Sequence, residues 1–320
     1  MISKNTKLIK RIARQMGATV KVTLKERNLF ELAYKGKKIT VERSFFINRS
    51  PYVGVQTTKF KDATYKILID AKISTPKAVF FYDCKPSNAQ IEKKLKKLKY
   101  PIIIKQLEGS NSKDLYPNVQ TVPAAVKKVK TELAKNCRLM AQQMVFGNEY
   151  RLLVLDDKVI GALQMCPPAV YGDGVSTIEQ LIREANKYLK KPVAIDEDLK
   201  NVLKEQKYSI KSVPAKGERV RVKFYSSLAS GGETVDATAD VHKGFHKIGF
   251  EIAKACGKYL CGIDIICEDI SKNPKNQKYF ILEVNGRPDL TIHYSPDHGK
   301  TTDVVGEIIQ FIAKSKIVFN

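Results

Sequence analysis

Two apolar runs near the end of the chain, Gly262-Ile263-Asp264-Ile265-Ile266 and Ile281-Leu282-Glu283-Val284-Asn285, each carry polar oxygen side chains. Both predict strands, with residues 271–276 as the polar turn between them. Glu283 and Asn285 are two residues apart and project from one strand face, and Asp264 can face them from the neighbouring strand. Two carboxylates and an amide suit Mg²⁺, which takes its other ligands from water and nucleotide phosphates. The pattern alone leaves two interpretations open, a phosphoryl-transfer site and an ordinary hairpin with solvent-facing alternation.

The composition describes a globular and strongly basic chain. Its 320 residues, 43% of them hydrophobic, are enough to bury a substantial core and favour two or three lobes. The formal net charge of +23 attracts anions such as nucleotides, acidic metabolites or nucleic acid. The basic residues form short clusters, such as Lys93-Lys94 and Lys127-Lys128, which are typical of solvated helix faces. Tryptophan is absent and no RRM, KH or zinc-finger pattern occurs, so nucleic acid is not the favoured partner.

Cysteine usage and the N-terminal sequence bear on the compartment. The six cysteines include no C-x-x-C pair and are too sparse for a disulfide scaffold, which favours a reducing cytoplasm. Cys256, Cys261 and Cys267 have no histidine at metal-binding spacing, so buried thiols are favoured over a zinc site. Basic residues interrupt the first apolar positions, and no segment approaches the roughly 20 apolar residues of a membrane helix. We therefore expect a cytoplasmic protein without a membrane partner.

The first part of the chain predicts a small α/β lobe. Apolar residues at helical spacing indicate an amphipathic helix that ends near Gly17. Its apolar stripe could lie on an anionic membrane, but packing against neighbouring strands is favoured. Strands are expected at 19–24, 30–34 and 39–46. We expect residues 1–57 to form a separate N-terminal lobe.

The remaining residues, 58–320, mix helices with strands, which predicts an α+β protein with antiparallel sheet. Helices are expected at 59–72, 91–98, 122–135, 245–256 and 302–313, and the region 172–214 has a helical pattern. Strands are expected at 78–82, 102–104, 139–144, 150–155, 159–165, 219–224, 235–238, 261–267 and 279–285.

Five motifs, taken in order, carry a family resemblance. They are Tyr171-Gly172-Asp173-Gly174-Val175-Ser176-Thr177-Ile178, Ser212-Val213-Pro214, Ser230-Gly231-Gly232-Glu233-Thr234-Val235-Asp236, Cys261-Gly262-Ile263-Asp264 and Ile281-Leu282-Glu283-Val284-Asn285. Their order and spacing resemble the ATP-grasp module of cyanophycin synthetases and bifunctional glutathione synthetases over roughly residues 58–320, and more distantly D-alanine–D-alanine ligase. The combination is specific, although each motif alone would be weak.

The resemblance implies a fold, an activity and cofactors. The fold would be an ATP-grasp fold, with a small lobe at 58–144 and a C-terminal lobe with the metal site at 145–320, both gripping ATP. The activity would be that of an ATP-dependent carboxylate–amine ligase. It would act through an acyl phosphate on an amino acid or small acidic peptide and release ADP and phosphate. Two Mg²⁺ ions are implied, with Mn²⁺ as an alternative.

The resemblance also implies nucleotide contacts. Lys105, at the end of an apolar strand, matches the lysine that contacts the α- and β-phosphates, although it could be one more solvated lysine. Lys61 matches a second nucleotide lysine, and Glu149 matches the ribose-binding acid, with a surface glutamate as its alternative. The segment that holds adenine corresponds to Gln142, Gln143, Met144 and Val145.

The remaining implied roles concern the metal and the substrates. Asp264, Glu283 and Asn285 match the metal ligands, and Arg151 is placed near the transferring phosphate. Lys223 with Ser230, Gly231 and Gly232 falls near the acyl phosphate. Arg287 and His293 would hold the acceptor or its carboxylate, while His293 could equally be a hydrogen-bonded residue behind the site. Lys223, Arg151 and Arg287 are the implied catalytic residues.

One loop departs from the family pattern. Ser112 and Asp114 stand where the relatives carry glycines over the phosphates, and an aspartate there would repel phosphate. The alternative function is therefore a nucleotide-binding pseudoenzyme or a regulatory ATP-grasp protein. The intact metal residues favour the ligase. A homodimer is left open.

Overall fold

A computed structural model describes residues 2–107, 115–226 and 228–316. Along these residues the α-helices are α1 (Lys4–Gln15), α2 (Pro51–Lys59), α3 (Lys61–Asp70), α4 (Asn88–Leu95), α5 (Val122–Leu133), α6 (Ile178–Asn186), α7 (Glu197–Glu205), α8 (Lys243–Ala255) and α9 (Val304–Lys314). The strands are β1 (Thr19–Leu24), β2 (Leu29–Tyr34), β3 (Lys37–Glu42), β4 (Ala78–Phe81), β5 (Ile102–Gln106), β6 (Leu115–Val119), β7 (Leu139–Gln143), β8 (Asn148–Leu155), β9 (Lys158–Cys166), β10 (Ala169–Tyr171), β11 (Arg219–Arg221), β12 (Glu233–Asp236), β13 (Leu260–Cys267) and β14 (Tyr279–Asn285).

The chain divides into two compact units. The first contains residues 1–75, 147–164 and 234–320, and the second contains residues 76–146 and 165–233. Helices and antiparallel sheets are mixed throughout, which confirms the α+β prediction. Within the described residues, every helix is too short or too polar to cross a membrane.

The first unit is built on a five-stranded sheet in the order β12-β9-β8-β13-β14. Helix α8 covers this sheet, and its apolar positions Phe245, Ile252 and Ala253 are fully buried against strand residues such as Ile263. A three-stranded antiparallel sheet, β1-β2-β3, follows helix α1 in the same unit. The late strands β13 and β14 therefore lie in a covered sheet.

The N-terminal elements share a core with the rest of the first unit. Ile9 of α1 and Phe30 of β2 are fully buried in one cluster with Leu153 of β8, Leu260 of β13 and Ile308 of α9. The predicted boundary at residue 57 is therefore not a boundary between the compact units. The stripe of α1 packs on protein, as the sequence favoured, because these apolar partners are available.

The second unit contains a four-stranded sheet in the order β4-β7-β5-β6 and a two-stranded sheet of β10 and β11. Helices α4 and α5 bury Ile91, Leu95 and Val129 against the larger sheet. Helices α6 and α7 form a separate cluster with the smaller sheet. The strands β5 and β7, which carry predicted nucleotide residues, thus belong to one sheet.

Most predicted elements are confirmed with shifted ends, and a few predictions are wrong. The helix expected at 59–72 is confirmed as α3, and the helix α2 that ends before the extended residue Phe60 was not predicted. The strand expected at 39–46 ends at Glu42, and that at 219–224 ends at Arg221. Strands β6 and β10 were not predicted, since each is short and has no clean alternation of apolar and polar residues.

Two of the six cysteines pair. Cys84, after β4, forms a disulfide with Cys137, before β7, and spacing did not predict this bond. The cysteines therefore no longer support a reducing compartment. Cys256, Cys261 and Cys267 are buried free thiols as predicted, and burial raises the pKa of Cys256 and Cys267 to about 12.

Candidate active site

The predicted metal residues lie on paired strands of the first unit. Strands β13 and β14 run antiparallel, with Asp264 directly opposite Glu283 and Gly262 opposite Asn285. Asp264 is 6% exposed, so its carboxylate is almost entirely removed from solvent. The Asn285 amide Nδ2 donates to Asp264 Oδ2 at 3.2 Å. The prediction that Asp264 faces Glu283 from the adjacent strand is confirmed.

Arg151 completes this group from the other side. Strand β8 pairs with β13 and places Arg151 opposite Asp264. Its Nε donates to Asp264 Oδ1 at 2.7 Å and its Nη2 donates to Oδ2 at 2.8 Å, a bidentate pair. The Asp264 charge is the main cause that raises the pKa of Arg151. Arg151, placed near the transferring phosphate by resemblance, is thus held by a predicted metal ligand.

The chemistry of the donor set fits a hard divalent cation. Asp264 and Glu283 supply carboxylate oxygens, and a 180° rotation of the Asn285 amide would present its oxygen at the same point. No cluster of three or more His, Cys, Asp or Glu side chains that could hold a metal occurs within the described ranges. A cation here would therefore take its remaining ligands from phosphate oxygens and water, as Mg²⁺ does.

His293 lies behind this site in a short 3₁₀ turn of residues 291–294. It is 1% exposed, and neither ring nitrogen has a hydrogen-bond partner within the part of the chain that the structure describes. Burial, with a smaller contribution from the charge of Arg151, lowers the pKa of His293 to about 4. The ring is therefore neutral at pH 7, and it is not the hydrogen-bonded residue that the sequence allowed as an alternative.

The predicted adenine and phosphate residues lie together in the second unit. Strands β5 and β7 pair with Ile103 opposite Gln142, and Lys105 Nζ donates to Gln142 Oε1 at 3.0 Å. Backbone amides of Gln143 and Met144 donate to carbonyls of Lys77 and Pro101. Val145 follows β7 and is half-buried. Gln142 and Gln143 are thus part of a strand and not of a free linker.

The predicted acyl-phosphate residues also come together in the second unit. Lys223 Nζ donates to Ser230 Oγ at 3.1 Å, and Ser230 is 1% exposed. Burial lowers the pKa of Lys223. Gly231, next to Gly232, has a φ of +89°, which favours glycine. Lys223 also lines a cavity of about 120 Å³.

Other predicted site residues have separate surroundings. Lys61 is the first residue of α3, and Glu149 of β8 lies opposite Ile266 of β13. Arg287 Nη2 lies 3.3 Å from Glu42 Oε2, so it pairs with an N-terminal residue. Ser112 and Asp114 fall outside the described residues.

Lys258 is a buried residue that the sequence did not single out. It is 0% exposed, and its Nζ donates to Asn48 Oδ1 at 2.8 Å. Burial lowers its pKa to about 8. One lysine among 56 basic residues gives no pattern to find. A lysine directly before a strongly apolar strand was the available signal.

Comparison with a solved structure first identifies the fold. The chain superposes on a bifunctional glutathione synthetase from Pasteurella multocida with a TM-score of 0.65 and 23% sequence identity, over 97% of this chain and 43% of that chain. The fold is therefore the ATP-grasp fold, as predicted. Residues 58–169 match the family model of the RimK-like ATP-grasp domain. This match covers about a third of the chain, and the likeness of fold extends over 97% of it.

Relatives by sequence agree with this assignment. Cyanophycin synthetase of Synechocystis sp. is 27% identical over 282 residues, which cover 84% of this chain and 32% of that protein. The glutathione biosynthesis bifunctional protein of Desulfotalea psychrophila is 27% identical over 325 residues, which cover 95% of this chain and 40% of that protein. The chain thus spans about a third of the first relative and two fifths of the second.

Proposed function

We propose that the chain is an ATP-dependent carboxylate–amine ligase that forms an amide bond through an acyl phosphate and releases ADP and phosphate. The observation that carries the proposal is the group of Asp264, Glu283 and Asn285 on two paired strands, with the Asp264 carboxylate buried. An ordinary hairpin has no need for a buried carboxylate opposite a second carboxylate. The match of residues 58–169 to the RimK-like ATP-grasp domain supports the same conclusion.

In the proposed reaction, an oxygen of the substrate carboxylate attacks the γ-phosphorus and the bond to the ADP oxygen breaks. The amine nitrogen then attacks the acyl carbon, loses a proton, and phosphate leaves. Mg²⁺ held by Asp264, Glu283 and Asn285 would neutralise phosphate charge. Lys105 and Lys223 would supply fixed cations, and Arg151 would hold Asp264 in position. Catalysis then rests on positioning and electrostatics.

The finer assignments belong to the same proposal. ATP and Mg²⁺ are the cofactors, with two metal ions and Mn²⁺ as an alternative metal. Lys61, Lys105, Glu149 and residues 142–145 would bind the nucleotide. The net charge of +23 suits an acidic amino acid or small acidic peptide as substrate, with a small amine as acceptor. We leave dimerisation open.

The test measures ADP release from Mg-ATP with a panel of amino acids, acidic peptides and amines. Release that needs a carboxylate and an amine supports the ligase. Asp264→Asn and Glu283→Gln should each lower this rate at least a hundredfold, because a developing charge loses its counter-ion. Glu268→Gln, which removes an exposed carboxylate just beyond β13, is the matched control and should keep the wild-type rate.

The second candidate is a nucleotide-binding pseudoenzyme. The observation in its favour is the bidentate Arg151–Asp264 pair, since a guanidinium occupies the ligand that a metal would need. Calorimetric titration with Mg-ADP separates the two candidates. Tight Mg-ADP binding without ADP release on any panel member would favour the pseudoenzyme.

A further inference from the structure

Arg287 and Glu42 form an ion pair beside the predicted metal strand. Arg287 follows Asn285, the last residue of β14, by two positions. Its Nη2 lies 3.3 Å from Glu42 Oε2, and the two side chains are 40% and 41% exposed. The guanidinium also lies 5.2 Å from the centre of the Phe46 ring. An exposed carboxylate, an exposed guanidinium and a half-buried aromatic ring thus meet at the end of β14.

A second cation lies directly behind this pair. The Lys258 ammonium is 3.9 Å from the centre of the same Phe46 ring. A Cβ added to Gly286 would lie 2.6 Å from Lys258 Nζ, so the ammonium touches the backbone that joins Asn285 to Arg287. Although burial lowers the pKa of Lys258 to about 8, Lys258 is protonated in about nine-tenths of the molecules at pH 7.

The charges of this cluster do not cancel. Arg287, Lys258 and Arg43 carry three positive charges, because Arg43 Nε lies 3.9 Å from Glu42 Oε1, and Glu42 carries one negative charge. The charge of Lys258 is poorly screened, because its side chain is fully buried. A bound molecule with a net charge of −1 would lower this excess of positive charge. An acidic amino acid has this charge at pH 7, with two carboxylates and one ammonium.

We propose that Arg287 and Glu42 bind the α-carboxylate and α-ammonium of a free acidic amino acid, and that its side-chain carboxylate is the group activated by ATP. The proposal rests on the proposed ligase function. Asn285 and Arg287 are two residues apart, so the backbone between them spans at most about 7 Å, a distance that an aspartate or glutamate side chain and the Arg287 side chain together span. A carboxylate of such a ligand can therefore extend toward Asn285 while its α-groups stay on Arg287 and Glu42.

The reaction of this ligand balances without another reactant. A side-chain oxygen bonds to the γ-phosphorus as ADP leaves, which gives a β-aspartyl or γ-glutamyl phosphate. Hydroxylamine then replaces the unidentified amine: its nitrogen bonds to the acyl carbon, loses a proton, and phosphate leaves. The product is the aspartyl or glutamyl hydroxamate, which is measured by its iron(III) colour.

The experiment uses the full chain with Mg-ATP, hydroxylamine and either L-aspartate or L-glutamate. At least one of them should give hydroxamate. Succinate or glutarate, which lack the ammonium, and β-alanine or γ-aminobutyrate, which lack the α-carboxylate, should have a kcat/KM at least tenfold lower. L-asparagine and L-glutamine, whose only carboxylate is the α-group, should give no product.

Variants then test the two residues. Glu42→Gln and Arg287→Met should raise the KM for the amino acid about tenfold or more and leave the Kd for Mg-ADP unchanged, since each removes one charged hydrogen bond. Arg287→Lys should restore part of the affinity. Glu31→Gln removes a carboxylate that pairs with Lys38 in the same N-terminal sheet and is the matched control.

Two failures remain distinguishable. If Mg-ADP binds and other carboxylates give hydroxamate while both acidic amino acids give none, the subsite proposal is overturned and the ligase stands. An unchanged KM in correctly folded Glu42→Gln and Arg287→Met proteins also overturns it. If no carboxylate gives hydroxamate, the ligase function itself fails.

Discussion

Replacement of Lys258 by methionine should change how the stability of the protein depends on pH. Methionine has nearly the same length and no charge, so Lys258→Met removes the buried ammonium without opening a large cavity. In the wild type, burial lowers the pKa of Lys258 from 10.5 to about 8. The unfolded chain therefore binds more protons than the folded chain between pH 8 and pH 10.5, and this group adds stability as the pH rises through that window.

The magnitude follows from the two pKa values. A pKa lowered from 10.5 to about 8 corresponds to about 3 kcal/mol of unfolding free energy, which the folded protein lacks below pH 8 and regains above pH 10.5. Lys258→Met removes this penalty at pH 7 but also leaves Asn48 Oδ1 without its 2.8 Å donor, at a cost of about 1–3 kcal/mol. The two effects nearly cancel at pH 7. The difference between variant and wild type should therefore appear in the slope of unfolding free energy against pH.

The assay is urea unfolding of both proteins from pH 7 to pH 10.5, followed by far-ultraviolet circular dichroism. Stability of Lys258→Met relative to wild type should fall by about 3 kcal/mol across this range. Lys254→Met, which removes an exposed lysine from α8, is the control and should run parallel to wild type. Parallel curves for Lys258→Met would refute the reasoning, because they would mean that the ammonium is not desolvated by folding.

Three further predictions concern other parts of the chain. Reduction of the Cys84–Cys137 disulfide, which closes a loop with a sequence separation of 53, should destabilise the second unit by about 4 kcal/mol, measured as faster hydrogen exchange in α5 and β7. A Cys84→Ser, Cys137→Ser protein should match the reduced wild type. Between pH 6.5 and pH 4 the wild type should lose up to about 3 kcal/mol of unfolding free energy that His293→Leu keeps, because folded His293 resists protonation in that window. If the urea midpoints of wild type and variant fall equally between pH 6.5 and pH 4.5, this prediction is wrong. Arg151→Met should cost about 3 kcal/mol at pH 7, since it leaves the Asp264 carboxylate buried without its bidentate partner. Mg²⁺ should restore part of that loss in a thermal melt, and a melt insensitive to Mg²⁺ would count against the metal site.

The strands of the proposed metal site could be predicted because their sequence signal is local. In 281–285, polar residues occupy alternate positions of an apolar run, so strand geometry alone puts Glu283 and Asn285 on one face. Asp264 could be placed opposite because a short polar turn joins the two strands. Long amphipathic helices such as α5 and α8 were predictable for the same reason, since 3.6-residue periodicity repeats over several turns.

The partners of the site residues could not be predicted, because they come from distant parts of the chain. Arg287 pairs with Glu42, 245 residues away, and Lys258 bonds to Asn48, 210 residues away. Nothing in either local sequence selects these pairs among many lysines, arginines and glutamates. The disulfide was missed for a similar reason, since 53 residues separate its two cysteines. Such contacts depend on the tertiary fold and not on periodicity.

The N-terminal segment gains a functional meaning from these contacts. Its helix and sheet have no core of their own, since Ile9 and Phe30 are buried in a cluster with Leu260 of β13. The strand that carries Asp264 therefore shares a hydrophobic core with the segment that contains Glu42, Phe46 and Asn48, and both belong to the first unit. Asn48 accepts a hydrogen bond from the Lys258 ammonium, which lies beside Gly286, so the N-terminal segment contributes to the surroundings of the proposed metal strand. The N-terminal segment is therefore part of the surroundings of the proposed active site. It shares a core, a buried cation and an ion pair with the strands that carry the proposed chemistry.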